Sequence, residues 1–275
     1  MICKDIIEVI ERTYPPRYAM EWDNVGLLAG RDNKEVTRIY IALDATDEVI
    51  EEAVNAGADM LVTHHPLIFG GIKRINNQDF LGRRLLKLIG NDISYYAMHT
   101  NYDVCGMAEL SAEKMGLAHT EVLEVTCEEP CGQPQQTASG EACAGRVYKG
   151  LGKIADVDGG MTLRECCSRV KKAFSLSEVK VFGDLERKVK RTAICPGSGK
   201  SVIPEALRRQ ADVLITGDIG HHEGIDSEAQ GLSIIDAGHY GIEHIFVEDM
   251  GQYLRGNLSG VEVNCAPVKH PFQMV

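Results

Sequence analysis

Residues 38–63, RIYIALDATDEVIEEAVNAGADMLVT, and residues 191–216, RTAICPGSGKSVIPEALRRQADVLIT, align without a gap. Arg38 pairs with Arg191, Ile41 with Ile194, Val49-Ile50 with Val202-Ile203, Glu52-Ala53 with Glu205-Ala206, Ala58-Asp59 with Ala211-Asp212, and Thr63 with Thr216. An internal duplication constrains the fold more than any single motif, because both copies must build the same unit. Each copy reads as a buried strand, a loop, an amphipathic helix and a second buried strand. That order is the β-loop-α-β pattern of a parallel sheet. The expectation is an α/β chain of two related lobes with mostly parallel or mixed sheets, the first over 1–125 and the second over 126–275. Segment 127–145, CEEPCGQPQQTASGEACAG, is rich in Gly, Pro and Gln and reads as a flexible, exposed loop near the seam. The lobes are free to exchange terminal elements.

Flanking segments support the same class. MICKDIIEVIERTYPP reads as an amphipathic helix ending before Pro15, not as a signal-peptide core. MTLRECCSRVKKAF reads as a helix capped by Thr162, with Cys166 and Cys167 buried or half-buried. The nine cysteines form no C-x-x-C pair and no regular framework, which reads as free thiols in a reducing cytoplasm. No apolar run reaches membrane-spanning length. A net charge of −11 argues against a nucleic acid polymer as partner, while one locally positive pocket for a small anionic nucleotide remains compatible.

Metal-ligand residue types gather at the carboxyl ends of the expected strands, where open α/β sheets bind ligands. They are His64, His65, His99, Asp103, Asp218, His221, His222, Asp236, His239, Glu243 and His244. The first copy is followed by THH and later HTNYD, the second by TGDIGHH and later AGHYGIEH, so histidines are expected at matching strand ends. On an extended backbone, favoured before Pro66, the rings of His64 and His65 point to opposite faces and suit two neighbouring ions better than one. A helix beginning near His239 places His239 and Glu243 one turn apart on one face. Glu243 can bridge two ions, which a monodentate imidazole cannot, and Asp103 can add an oxygen ligand. Asp218, Asp236 and His244 are expected in supporting roles, and His221 is expected to be exposed.

Two other stretches leave alternatives open. AICPGSGKS (193–201) resembles a phosphate loop but has Ile194 where the first glycine of G-x-x-x-x-G-K-[ST] belongs. The amides of Gly197 to Gly199 either touch an anion or only make a tight turn, the turn alone being the simpler reading. In EWDNVGLLAG (21–30), Trp22, Asp23 and Asn24 either line the metal site, with Trp22 stacking a base, or pack at a domain seam.

Taken together the motifs resemble the Nif-three-like family, also called GTP cyclohydrolase I type 2 homologues. EWDNVGLLAG, ADMLVTHHPLIF, HTNYD, GLGKIADV, ITGDIGHHEGID and IDAGHYGIEH occur in the family's order over nearly the whole chain. The resemblance implies a dinuclear metal site at the cleft between the lobes and a toroidal homohexamer. Its ligands, matched position by position, are His64, His65, Asp103, His239 and Glu243, with Glu243 as the bridge and His222 beside the site handling protons. The chain departs from the family at Gly220, where a Lys is frequent, and at Ala108-Glu109, where an Asn-Asp pair is frequent. Neither departure touches a ligand position.

Two divalent ions clamp an oxyanion and stabilise both attack and departure, so the expected function is a metal-dependent hydrolase acting on a nucleotide-like small molecule. The alternative is a metal-binding, metal-delivery or regulatory protein without turnover. Imidazole and carboxylate donors suit zinc, manganese, iron, cobalt or nickel, so the ligand set leaves the element open.

Overall fold

The duplicated segments fold alike down to single hydrogen bonds. The computed structural model describes residues 1–130 and 146–273. In the first copy β2 (Arg38–Ala42) lies parallel to β3 (Met60–Thr63), pairing Ile39 with Met60 and Ile41 with Val62. In the second copy β8 (Lys188–Ser198) lies parallel to β9 (Val213–Gly217), pairing Thr192 with Val213 and Ile194 with Ile215. These are the same pairs under the sequence alignment. The loop entering the second strand is tied identically: Asp59 Oδ2 accepts the N–H groups of Thr37 and Arg38 at 2.7 and 3.0 Å. Asp212 Oδ2 accepts those of Lys190 and Arg191 at 2.7 and 2.9 Å.

A carboxylate holding two backbone amides is a strong local tie, and hydrogen bonds to charged groups contribute about 1.5–3 kcal/mol. Asp59→Ala and Asp212→Ala are each expected to destabilise by about 1–3 kcal/mol in denaturant titrations. Burial works against the charge on Asp59, but the bonds from Thr37 and Arg38 outweigh it and hold the carboxyl below its ordinary range. The Asp59 share of stability is therefore present at neutral pH and is lost as pH falls through that lowered value.

The chain forms two compact units, Met1–Tyr102 with Glu243–Val275, and Asp103–Ile242. The division differs from the seam expected near 125–145. β11 (Glu262–Cys265) returns to pair parallel with β2, and β5 (Glu121–Pro130) pairs with β6 (Arg146–Thr162), so strand pairing rather than linker composition sets the boundaries. Of the loop expected at 127–145, Cys127 to Pro130 instead continue β5, and 131–145 lie outside the described residues.

The first unit holds a five-stranded sheet in the order β1-β4-β3-β2-β11, where β1 is Gly26–Ala29 and β4 is Ser94–Ala97. Only β1 runs antiparallel to its neighbour. β3 and β4 are buried throughout, as strands covered on both faces must be. Helices Asp47–Asn55 and Phe80–Gly90 pack Ile50, Ala53 and Leu88 against Tyr40, Leu61 and Tyr95. Helix Cys3–Thr13 buries Cys3, Ile6 and Ile10 and ends before Pro15, as its pattern predicts.

The second unit holds a mixed six-stranded sheet, β5-β6-β8-β9-β10-β7, with β7 at Lys180–Phe182 and β10 at Ser233–Asp236. Its core gathers Leu123, Ile154, Ala193, Val202, Leu214 and Ile234. Helix Leu163–Ala173 opens on the expected cap, with Thr162 Oγ1 accepting from Glu165 N–H and the Glu165 carboxylate accepting from Thr162 N–H. Cys166 is fully buried there, and burial pushes its thiol up to about 12, which leaves it unreactive. No helix among the described residues is long and apolar enough to cross a membrane.

Candidate metal centre

Three neighbouring parallel strands of the first unit deliver side chains from their carboxyl ends. Asp44 follows β2, His64 and His65 follow β3, and His99 follows β4. The donor atoms of His64, His65 and His99 lie within 4.8 Å of one another. The turn carrying the histidine pair is held from below. The hydroxyls of Thr63 and Tyr95 both donate to the His65 carbonyl, at 2.8 and 3.0 Å, and Leu67 N–H donates to the Tyr95 hydroxyl at 2.8 Å.

That turn changes one expectation. β3 stops at Thr63, so His64 and His65 do not alternate across a strand. Their rings stand 4.9 Å apart and converge on one carboxylate. His64 Nε2 lies 3.7 Å from Glu243 Oε1, and His65 Nε2 lies 3.0 Å from Glu243 Oε2. The two imidazoles therefore meet opposite oxygens of Glu243, which is only 3% exposed.

Each ring is fixed through its other nitrogen. His64 Nδ1 donates to the Met98 carbonyl at 2.9 Å, and His65 Nδ1 to Asp44 Oδ1 at 2.8 Å. His99 Nδ1 donates to Asp23 Oδ1 at 2.9 Å. Tying Nδ1 to a carbonyl or carboxylate is how proteins fix a metal-binding imidazole with Nε2 as the donor atom. Burial opposes the charge on His65, but the hydrogen bonds and charges of Asp44 and Glu243 outweigh it and push its pKa up to about 10. Burial likewise opposes the charge on Asp23, and the hydrogen bonds from His99 and Thr100 overcome it, holding the carboxyl at about 2. Behind His64 stand Phe246, with ring centroids 5.3 Å apart, and Tyr102, at 6.0 Å.

The second unit repeats the device with different residues. His239 Nδ1 donates to Asp218 Oδ2 at 2.7 Å, and Asp218 takes a left-handed φ of 57° just after β9. Gly217 is required beside it, because a Cβ there would lie 2.6 Å from the His239 nitrogen. Asp236 accepts from Ile219 N–H at 3.1 Å, from Gly238 N–H at 3.0 Å and from Lys180 Nζ at 2.7 Å, which ties the loops after β9 and β10 together. The helix that was expected near His239 spans His239–Glu243, so the i, i+4 spacing of these two residues is helical. Asp103 opens the second unit on a π-helical turn, Asp103–Met107, a form that recurs at functional sites.

Strand pairing corrects the expected match of histidines between the copies. His64 and His65 correspond to Gly217 and Asp218, and His239 falls one residue beyond the equivalent of His99. His221 and His222 instead begin helix His221–Ala229, both exposed, with their rings 5.2 Å apart. The second strand end thus carries a carboxylate that orients an imidazole where the first carries the imidazole itself. Asp44, and Asp23 as the residue that orients His99, escaped the sequence reading. The available signal was an aspartate just past a strand in ALDATD and one just before a strand in EWDN.

The other two open stretches resolve. Gly199 N–H donates to the Thr216 hydroxyl at 2.9 Å, that hydroxyl donates to the Gly197 carbonyl at 3.2 Å, and a Cβ on Gly199 would lie 2.1 Å from Thr216 Oγ1. The Gly199 amide is thus committed inside the fold, and the glycines serve a tight turn against β9. Trp22 does not pack into a seam; it is 64% exposed.

Comparisons with known proteins give the family and the fold. The family model Duf34/NIF3 (NGG1p interacting factor 3) matches residues 1–271. A Clostridium perfringens protein named GTP cyclohydrolase 1 type 2 homolog is 33% identical over 279 residues, covering 100% of both chains. A protein of the same name from Clostridium acetobutylicum is 33% identical over 263 residues, covering 95% of this chain and 92% of its own. The crystal structure of a Bacillus cereus protein related to NIF3 superposes with a TM-score of 0.87 at 28% identity, covering 100% of this chain and 99% of that one. With a family model spanning nearly its whole length, the chain belongs to the Duf34/NIF3 family.

Proposed function

We propose that the chain is a metal-dependent hydrolase acting on a nucleotide-like small molecule. Its metal ligands are His64, His65 and Glu243, joined by Asp103 and His239 on the strength of the motif match. One observation carries the reading: the Nε2 atoms of His64 and His65 face opposite oxygens of a buried Glu243. A carboxylate so placed, with the two imidazoles, would help hold divalent ions. The donors fit a divalent pair, since each imidazole is held at Nδ1 by Asp44 or by the Met98 carbonyl. Bound ions would supply Lewis-acid polarisation of a substrate oxygen. The chain's own residues orient and exclude: Asp44 and Met98 hold the ligand rings, Asp23 holds His99, and Phe246 keeps water from the back of His64. His222 is assigned the handling of protons on the motif match alone. The same resemblance supports a homohexamer, the cysteine pattern supports the cytoplasm, and imidazole and carboxylate donors suit zinc, manganese, iron, cobalt or nickel.

Metal analysis of purified protein is expected to find about two divalent ions per chain. Hydrolysis of purine nucleotides should cease on chelation and return on reconstitution. Protein that holds no metal after reconstitution rules the reading out. Proton release gives an independent check. A proton and a cation compete for His65 Nε2, and with a pKa of about 10 the ring is protonated at neutral pH before the cation arrives. Affinity should therefore rise with pH up to about 10 and fall on acidification. Calorimetry in buffers of different ionisation enthalpy should read about one proton released per chain from this group at pH 7.

A metal-delivery role is the second reading, favoured by Asp44, a carboxylate beside His65 whose side chain is 43% exposed at the edge of the cluster. Transfer of metal to a chelating acceptor without any turnover selects it.

A further inference from the structure

Two large aromatic side chains stand in solvent beside the histidine cluster. Trp22 is 64% and Phe69 57% exposed, although burial is the ordinary fate of such residues. Each ring centroid lies 5.9 Å from that of His99, steeply inclined to it at 74° and 85°. His99 in turn stands 5.3 Å from the His64 ring and 5.6 Å from the His65 ring. Both aromatics thus border the open side of one imidazole of the cluster.

Their placement is built rather than incidental. The Asn24 side-chain amide donates to the Ile68 carbonyl at 2.7 Å, which laces the Trp22 turn to the segment carrying Phe69. The Asp23 carboxylate accepts from Asn24 N–H at 2.8 Å, from His99 at 2.9 Å, and from both the N–H and the hydroxyl of Thr100. Met20 N–H donates to the same Thr100 hydroxyl at 2.8 Å. The Asp23 side chain has no exposed surface, and burying a charge is unfavourable unless it is fully paired. This network locks the two segments and His99 into one arrangement while leaving both rings outside the core. Rings presented to solvent from a fixed backbone contribute little to folding, and a flat ligand that meets them finds the segments already ordered.

We propose that Trp22 and Phe69 determine specificity at this site by holding a planar nitrogen heterocycle of the substrate beside His99. The inference rests on the reading of the histidine cluster as a substrate site and names the part of the substrate that is recognised. Phe69 carries no polar side-chain atom and Trp22 a single N–H donor, so the pair selects a π surface and not phosphate charge. Stacking on aromatic side chains tolerates many bases, and selection here falls on the presence of a ring rather than on its substituents.

Trp22 is the single tryptophan of the chain, so intrinsic fluorescence reports on it alone. Metal-stripped and metal-loaded protein are titrated with guanosine, guanosine monophosphate and inorganic triphosphate. Quenching by the two ring-bearing compounds and none by triphosphate is expected. Phe69→Ala should weaken ring binding by roughly tenfold or more, and Trp22→Leu, followed by calorimetry, should do the same. Both should raise KM far more than they lower kcat, with thermal stability and metal content unchanged. Unchanged ring affinity in both variants overturns the inference. So does a shift of either variant to a smaller oligomer with ring affinity intact, since the rings then cover an interface between copies. Ring binding without turnover in metal-loaded protein keeps this inference and removes the hydrolase. Turnover of a ring-bearing substrate with unchanged KM in both variants does the reverse.

Discussion

Glu243→Gln is expected to abolish turnover and to lower metal affinity by at least about 100-fold, a bound taken from the 10–100-fold typical of residues that only orient a ligand. The substitution keeps volume and shape in a position that is 3% exposed, so the fold should survive it. What changes is charge and polarity: one oxygen facing an imidazole becomes an NH₂ group, which donates and cannot bind a cation. Metal content per chain, read by elemental analysis after gel filtration, measures the loss. A second readout needs no metal. His65 is left with Asp44 as its only carboxylate of the present pair, so its pKa should fall from about 10 and be visible in the pH dependence of its ring signals. Full metal content and unchanged turnover in this variant would remove Glu243 from the centre.

Phe246→Ala carries the largest expected effect on stability. Phe246 is fully buried in helix Ile245–Asn257, its ring perpendicular to that of Tyr102 at 4.9 Å and inclined 40° to that of His64 at 5.3 Å. Removing a buried phenylalanine costs about 3–5 kcal/mol through lost transfer energy and the cavity left behind. Here the cavity also opens behind His64, so metal affinity should fall with stability, whereas Phe246→Leu should recover most of both. Urea unfolding followed by circular dichroism measures the first. With two units the transitions are fitted separately. A loss below about 1 kcal/mol would mean that the neighbours close the gap.

Local pattern proved a good guide wherever neighbours in sequence make the contact. The Cys3–Thr13 helix, the Thr162 cap, the duplicated β-loop-α-β segments and the helix at His239 all follow from short-range spacing. Long-range partners were less legible. Asp23 meets a histidine 76 positions away, and Asp44 one 21 positions away, with no periodicity to announce either. The convergence of His64 and His65 depends on hydroxyls of Thr63 and Tyr95 that bend the chain where alternation was assumed. The unit boundary was hidden because β11, only four residues long, finds its partner at β2 near the other end of the chain.

That returning strand has a consequence for how the protein is made. The residues of the second unit, 103–242, leave the ribosome as one uninterrupted stretch, whereas the first unit waits for 243–265 to add Glu243 and its fifth strand. The second unit is therefore complete on the ribosome before the first, against the usual N-terminal-first sequence of domains. His64 and His65 are translated early but face no Glu243 carboxylate until nearly the whole polypeptide exists. A nascent chain stalled before residue 243 carries the imidazole pair without the carboxylate that faces it, so the cluster is completed late in synthesis.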